Sequence, residues 1–183
     1  MIYPIFVYGQ PVLRKVASNI TPDYKGLDAL IEDMYQTMYK AEGIGLAAPQ
    51  IGLPIRLFVV DGSPLAEDHP ELENFKKVFI NAKIIERNDT LELESEGCLS
   101  LPKLNEEVSR PTAIRIQYQD ENFNSYDEKY EGFAARVLQH EYDHIEGKLF
   151  IDYLSPLRRR LLKSKLTSIT KGDVDIIYRI KTI

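Results

Sequence analysis

The apolar positions change period several times along the chain, and each change marks an element. From Leu27, residues Leu30, Ile31, Met34, Tyr35 and Met38 recur every three or four positions, the repeat that lines one face of an α-helix. Thr21-Pro22 upstream reads as cap and first-turn proline, and the Met and Tyr stripe as core. The helix is expected to end at Glu42-Gly43. The following GIGLAAPQIGLP keeps neither helical nor strand period, and its Gly, Ala and Pro content predicts a loop of close backbone approach. Strand-like runs follow at 55–60, 78–85, 91–95, 112–118 and 127–131, the clearest alternation being Ile114, Ile116 and Tyr118; short strands of this kind predict antiparallel sheets. Segment 63–76, with Pro64, Pro70 and four acidic residues, reads as a surface insertion. Residues 132–147 predict a second helix with Gly147 as its C-terminal cap. A third helix should start at Ser155-Pro156 and run through Arg158, Leu161, Leu162 and Leu166, with a last strand at 174–180. No linker or repeat interrupts the pattern. It predicts one α+β domain over 1–183, with small mixed and antiparallel sheets packed around the helix at 132–147.

Composition narrows the class. A chain of 183 residues, 44% apolar and 28% charged, can bury a single core without disulfide staples. No run of about 18 apolar residues occurs, and the start MIYPIFVYGQP lacks a basic n-region and a long h-region, so neither a membrane span nor a signal peptide is expected. A cytoplasmic protein follows from this. The net charge of −5 argues against specific nucleic-acid binding through phosphate neutralisation. It leaves Arg158-Arg159-Arg160 as a solvated helix face. Cys98 is the only cysteine, so an internal disulfide is excluded and a reduced thiol fits the cytoplasm.

The candidate chemistry sits in HEYDH. His140 and His144 are four apart on a predicted helix and can direct ring nitrogens at one ion, with Glu141 flanking it. Two of the chain's three histidines fall at this spacing. His69, far from the motif and without a partner at ligand spacing, is expected to be exposed. Two histidines leave a tetrahedral ion short of ligands, and no histidine follows His144 to complete the set as in zincins. Glu146 is too close to His144 in sequence, whereas Cys98, in SEGCLSLP, offers a thiolate from upstream. Taken alone, a lone cysteine is more often a small buried apolar residue; the histidine motif makes Cys98 the best third ligand. Three protein ligands leave a position open for water, the mark of a catalytic site. Glu141 would take a proton from that water and hand it to the departing nitrogen.

Three segments carry a resemblance. GIGLAAPQ at 43–50, EGCLS at 96–100 and QHEYDH at 139–144 resemble, in order and spacing, the signature motifs of peptide deformylases, and the likeness runs from YGQPVLRKVA to FIDYLSP. It implies removal of the formyl group from the N-terminal formyl-methionine of nascent chains, releasing formate as metal-bound hydroxide attacks the formyl carbon with Glu141 as base and acid. It also implies Gln50 and the Leu99 backbone N–H as donors to the developing oxyanion. Gly43 and Gly45 would let the substrate pair as an added strand. Ile44, Phe133 and Val137 match the methionine pocket, Gly97 joins the substrate-binding set, and the resemblance implies that Asp143 holds a histidine N–H, although a side chain facing away from the ion could equally pair with a surface arginine. The resemblance implies one divalent ion held by Cys98, His140 and His144: Fe2+ natively, with Zn2+ or Ni2+ after purification. Its expected partners are formyl-methionyl nascent peptides and the ribosome surface. Two positions depart from the pattern. Asn105 stands where many relatives have a substrate-holding arginine, and Arg136 where an apolar pocket residue is common. The predicted last strand also sets the tail apart from relatives that end in a helix. Two other readings share parts of this evidence. An HExxH metalloprotease would need a cleft open on both sides and a different third ligand; a structural metal domain or inactive binder would need a fourth protein ligand or a lost Glu141.

Overall fold

The computed structural model describes residues Met1–Ile183. In chain order the strands and α-helices are β1 (Ile5–Phe6), α1 (Leu27–Lys40), β2 (Gly45–Ala47), β3 (Leu57–Asp61), β4 (Lys76–Arg87), β5 (Leu91–Cys98), β6 (Leu101–Pro111), β7 (Ala113–Gln119), β8 (Ser125–Glu131), α2 (Gly132–Ile145), α3 (Pro156–Leu161), α4 (Lys163–Lys171) and β9 (Ile180–Lys181). One sheet has the order β2-β3-β4-β7-β8, β5 and β6 form a separate hairpin, and β1 pairs with β9. This is the α+β architecture of small sheets expected from the pattern. No helix is long and apolar enough to cross a membrane.

The five-stranded sheet is covered on both faces, which its sequence shows in β3: all five residues, Leu57 to Asp61, are buried. Phe58 and Val60 pack with Ala134, Ala135, Val137 and Leu138 of α2. Leu57 and Val59 face the opposite way, onto Leu30, Ile31, Met34 and Met38 of α1. A strand buried on both faces reads as an unbroken apolar run rather than an alternating one. The third apolar cluster joins β6 to the segment after α2 and to α4, through Leu101, Leu104, Val108, Phe150, Leu162 and Leu166. Helix α2 is therefore enclosed on almost every side, with Arg136, Gln139, Glu141, Asp143 and His144 buried along with its apolar residues. Buried polar groups must find partners inside the protein.

Several expectations are corrected. Helix α1 starts at Leu27, but Gly26, with φ 76°, occupies its N-cap; Thr21 and Pro22 belong to the preceding turn, where the Tyr24 N–H donates to the Thr21 carbonyl. The segment read wholly as a loop contains β2, which pairs with β3 from Gly45↔Val60 to Ala47↔Phe58. The eleven residues of β6 were not foreseen at all. Its inward positions run Leu104, Glu106, Val108 and Arg110, and the two charges hide the apolar alternation. Segment 63–76 is not only surface, because Leu72 and Phe75 are buried in the core. His69 within it is not free: its ring stacks on Phe133 with centroids 4.2 Å apart. The third helix starts as expected, with Ser155 Oγ accepting the Arg158 N–H, but breaks at Leu162 into α3 and α4. Arg158, Arg159 and Arg160 are exposed, as expected of a solvated face, and Arg158 forks from it onto the buried Glu106 at 2.6 and 2.8 Å. Of the predicted last strand only Ile180 is β, in the two-residue strand Ile180–Lys181 that runs parallel to β1.

Helix α2 ends just past His144. Gly147 follows with φ 70°, and a Cβ there would come within 2.8 Å of the Arg14 backbone. A left-handed non-glycine residue costs about 1–3 kcal/mol. Gly147→Ala should therefore lower unfolding free energy by about that amount in urea titration, and an unchanged midpoint would show that the Arg14 segment yields freely.

Candidate metal centre

Helix α2 and the β5–β6 hairpin bring three donors together. Cys98 Sγ and one ring nitrogen from each of His140 and His144 lie within 4.8 Å of one another, and Sγ is 3.3 Å from His144 Nε2. The i, i+4 spacing aligns the histidines on α2; Cys98 ends β5, where the hairpin turns. His144 is 1% exposed, and burial pushes its pKa well below the ordinary imidazole value. His140 moves well above it: burial opposes the shift, but bonding to Cys98 and Glu96 outweighs it. Thiol and imidazole ligate in their deprotonated forms, so a cation bound here would displace protons. A thiolate with two imidazoles suits a transition-metal dication, so the donor set fits the expected ion.

Glu141 lies beside this cluster. It is buried, its Oε2 has no partner in the chain, and burial pushes its pKa up to about 7. Gly45 of β2 lies so close that a Cβ would collide with the Glu141 carboxylate; only glycine lets the strand pass there.

Gln50, 2% exposed, is held from both ends. Its Oε1 accepts the Ala47 N–H at 2.9 Å, and its Nε2 donates to Ser100 Oγ at 3.2 Å and reaches Cys98 Sγ at 3.6 Å. The Leu99 N–H has no hydrogen-bond partner within the chain. A cleft of about 450 Å³ opens over these groups. Of the residues singled out from sequence, it is lined by Gly43, Ile44, Gly45, Gln50, Gly97, Cys98, Leu99, Phe133, Val137, His140 and Glu141; His144 lies behind them. Strand β2 is the edge of its sheet at this cleft.

The groups beneath the donors were largely missed from sequence. Glu96, 6% exposed, accepts from His140 Nδ1 at 2.9 Å, from Arg110 Nε and Nη2 at 2.5 and 2.9 Å, and from Arg136 Nη1 at 2.9 Å. Burial alone would raise its pKa, but the bonds from His140 and Arg110 bring it down to about 2. Glu96 thus holds the histidine that Asp143 was expected to hold. Asp143 takes the other role, pairing with an arginine, but a buried one: it accepts from Arg110 Nη1 at 2.8 Å and from the Tyr153 hydroxyl at 2.9 Å. Arg136 lines the cleft, yet its guanidinium turns away to Glu96, to Glu94 at 2.9 Å and to the carbonyls of Val108 and Glu92. It is a clasp between α2 and the hairpin rather than an anomaly of the pocket. Asn105 pairs across the hairpin with Gly97, where its Oδ1 fills the place of a Cβ. The one available signal for Glu96 was its place in EGCLS.

An HExxH helix with a cysteine donor from a neighbouring hairpin, a free carboxylate and an open sheet edge defines a metal-dependent hydrolase. The family model described as polypeptide deformylase matches residues 2–160. A peptide deformylase of Christiangramia forsetii is 50% identical over 99% of this chain and 96% of its own length; that of Salinibacter ruber is 46% identical over 100% and 95%. The crystal structure of the Thermus thermophilus peptide deformylase matches with a TM-score of 0.83 at 43% identity, over 94% of this chain and 99% of its own. The chain belongs to the peptide deformylase family.

Removing the Glu96 charge would leave two buried guanidiniums short of a partner and free the His140 ring. Breaking a buried ion pair from one side costs about 3 kcal/mol or more, and losing the group that orients a ligating histidine weakens metal affinity roughly 10- to 100-fold. Glu96→Gln should show both effects, in urea unfolding and in chelator competition; unaltered metal affinity would mean that packing alone orients His140.

Proposed function

We propose that this chain removes the formyl group from the N-terminal formyl-methionine of nascent polypeptides, with Cys98, His140 and His144 holding one divalent ion and Glu141 moving the proton. The observation that carries the reading is the meeting of those three donors beside a buried, unpaired carboxylate in a cleft edged by an open strand. When bound, the ion supplies Lewis acidity and lowers the pKa of a water in its open position. Glu141, with its pKa raised to about 7 by burial, accepts a proton from the attacking water and returns it to the departing amine nitrogen, which cannot leave well as an anion. The Gln50 amide and the Leu99 N–H stand as donors for the charge that grows on the formyl oxygen. Gln50 is suited to this because Ala47 and Ser100 fix its orientation before substrate arrives.

The substrate backbone adds to the edge at β2, where Gly43 and Gly45 leave room for it and Gly97 borders it from the hairpin. The methionine side chain takes the apolar recess of Ile44, Phe133 and Val137. His69 stacked on Phe133 backs that recess. Residues 1–183 act as one catalytic domain, because the last strand is hydrogen-bonded to the first. Ferrous iron is the proposed native ion, and zinc or nickel the ions found after purification in air. The cytoplasm is the proposed setting, since nascent chains are the substrate.

Formate release from formyl-Met-Ala-Ser by iron- or nickel-loaded protein tests the reading, and silence with one ion bound per chain would overturn it. Glu141→Gln should retain the ion and lose about 10²–10⁴ in kcat, whereas Cys98→Ala should lose the ion itself by elemental analysis. Iron-loaded protein should lose activity in air and keep it anaerobically, because oxidation of Cys98 or of the ion destroys the ligand set. Equal lifetimes in the two atmospheres would argue for another native ion.

A further inference from the structure

The segment after Gly172 takes no part in the chemistry above, yet it ends on the wall of the cleft. Its burial alternates: Val174, Ile176, Tyr178 and Ile180 are half-buried, while Asp173, Asp175, Ile177 and Arg179 are exposed. It is tied to the start of the chain, with the Ile5 N–H donating to the Arg179 carbonyl at 2.8 Å and the Val7 N–H to the Lys181 carbonyl at 3.2 Å. These bonds fix Tyr178 beside the cleft, where it is a lining residue. Its hydroxyl donates to the Leu99 carbonyl at 2.9 Å.

Leu99 and Ser100 form the two-residue turn between Cys98 and Leu101. Such turns favour types I′ and II′, which need positive φ at one or both central residues. Neither Leu99 nor Ser100 has positive φ, so the turn is of neither type, and the ladder beside it shifts register between Gly97 and Cys98. Three groups hold it from outside: Gln50 Nε2 on Ser100 Oγ, the Tyr8 N–H on the Ser100 carbonyl at 2.9 Å, and Tyr178 on the Leu99 carbonyl. Tyr8 and Tyr178 adjoin the two strands that pair the chain ends. The turn so braced carries Cys98 at its start and the free Leu99 N–H.

We propose that Tyr178 is a positioning residue of this site: its hydroxyl, delivered by the paired chain ends, fixes the Leu99 carbonyl and so holds the Leu99 N–H in one orientation. This rests on the deformylase reading, in which that N–H supports the formyl oxygen. A donor that swings away from the developing charge loses most of its effect.

The test is full-length Tyr178→Phe, which keeps the ring and its packing and removes only the O–H. Turnover of formyl-Met-Ala-Ser should fall about tenfold in kcat with KM within about twofold, the split expected when only transition-state stabilisation is lost. Bound metal should be unchanged, and the Leu99 amide resonance of zinc-loaded, isotope-labelled protein should shift. An unchanged kcat would mean that Tyr178 only packs, and a raised KM at constant kcat would mean that the hydroxyl serves substrate rather than the turn; either overturns the proposal. The amide resonance is read without turnover. Absence of formate release by the unsubstituted protein would therefore remove the functional reading alone, while an unmoved Leu99 amide would remove this one.

Discussion

The thiol and the imidazoles sit on two elements that share little apolar contact at the site, and a buried set of charges joins them. Glu96 on β5 faces Arg110 on β6 and both Arg136 and His140 on α2. Taking an ion out of water costs several kcal/mol even after relaxation, so these groups persist there only because each is paired. The carboxylates of Glu96 and Asp143 balance the guanidiniums of Arg110 and Arg136, and Glu96 receives four donated bonds. An apolar cluster of the same volume could match such a network in stability. It could not fix which nitrogen of His140 carries the proton, and that assignment leaves the other nitrogen for an ion.

The same geometry explains what could be read from the sequence. The 3.6 period showed α1 and the alternation of Ile114, Ile116 and Tyr118 showed β7, because each of these elements buries one face. The HEYDH spacing placed two donors on a helix face without any knowledge of the fold, and the shortage of a third donor pointed to Cys98. Strand β6 was hidden because Glu106 and Arg110 face inward, and a charge at a core position looks like solvent exposure until its partner is known. Strand β2 was hidden because Gly-Leu-Ala has weak strand preference, and it is β3 that makes it a strand. The link from Arg110 to Glu96 appears only when the hairpin register is known. The reach of Tyr178 to Leu99 requires knowing that the chain ends pair.

Two demands meet at the cleft, and separate elements answer them. Substrate access needs an open sheet edge, which β2 provides at the end of its sheet. Catalytic groups need fixed positions, which α2 provides because it is enclosed on nearly all sides. Gly45 is where the two touch. A side chain there would push the strand off the Glu141 carboxylate and widen the gap between the substrate backbone and the group that must reach its nitrogen.

Glu96 and Glu141 show how one site assigns two roles to the same side chain. Both are buried and both lie next to His140, through space for Glu96 and along the chain for Glu141. Glu96 receives bonds from two guanidiniums and an imidazole, and its pKa falls to about 2; it stays an anion and serves as an anchor. Glu141 has one oxygen with no partner, and burial without compensation raises its pKa to about 7. A carboxyl poised there can both take and return a proton near neutrality. The hydrogen bonds given to Glu96 and withheld from Glu141 therefore separate the structural carboxylate from the reactive one.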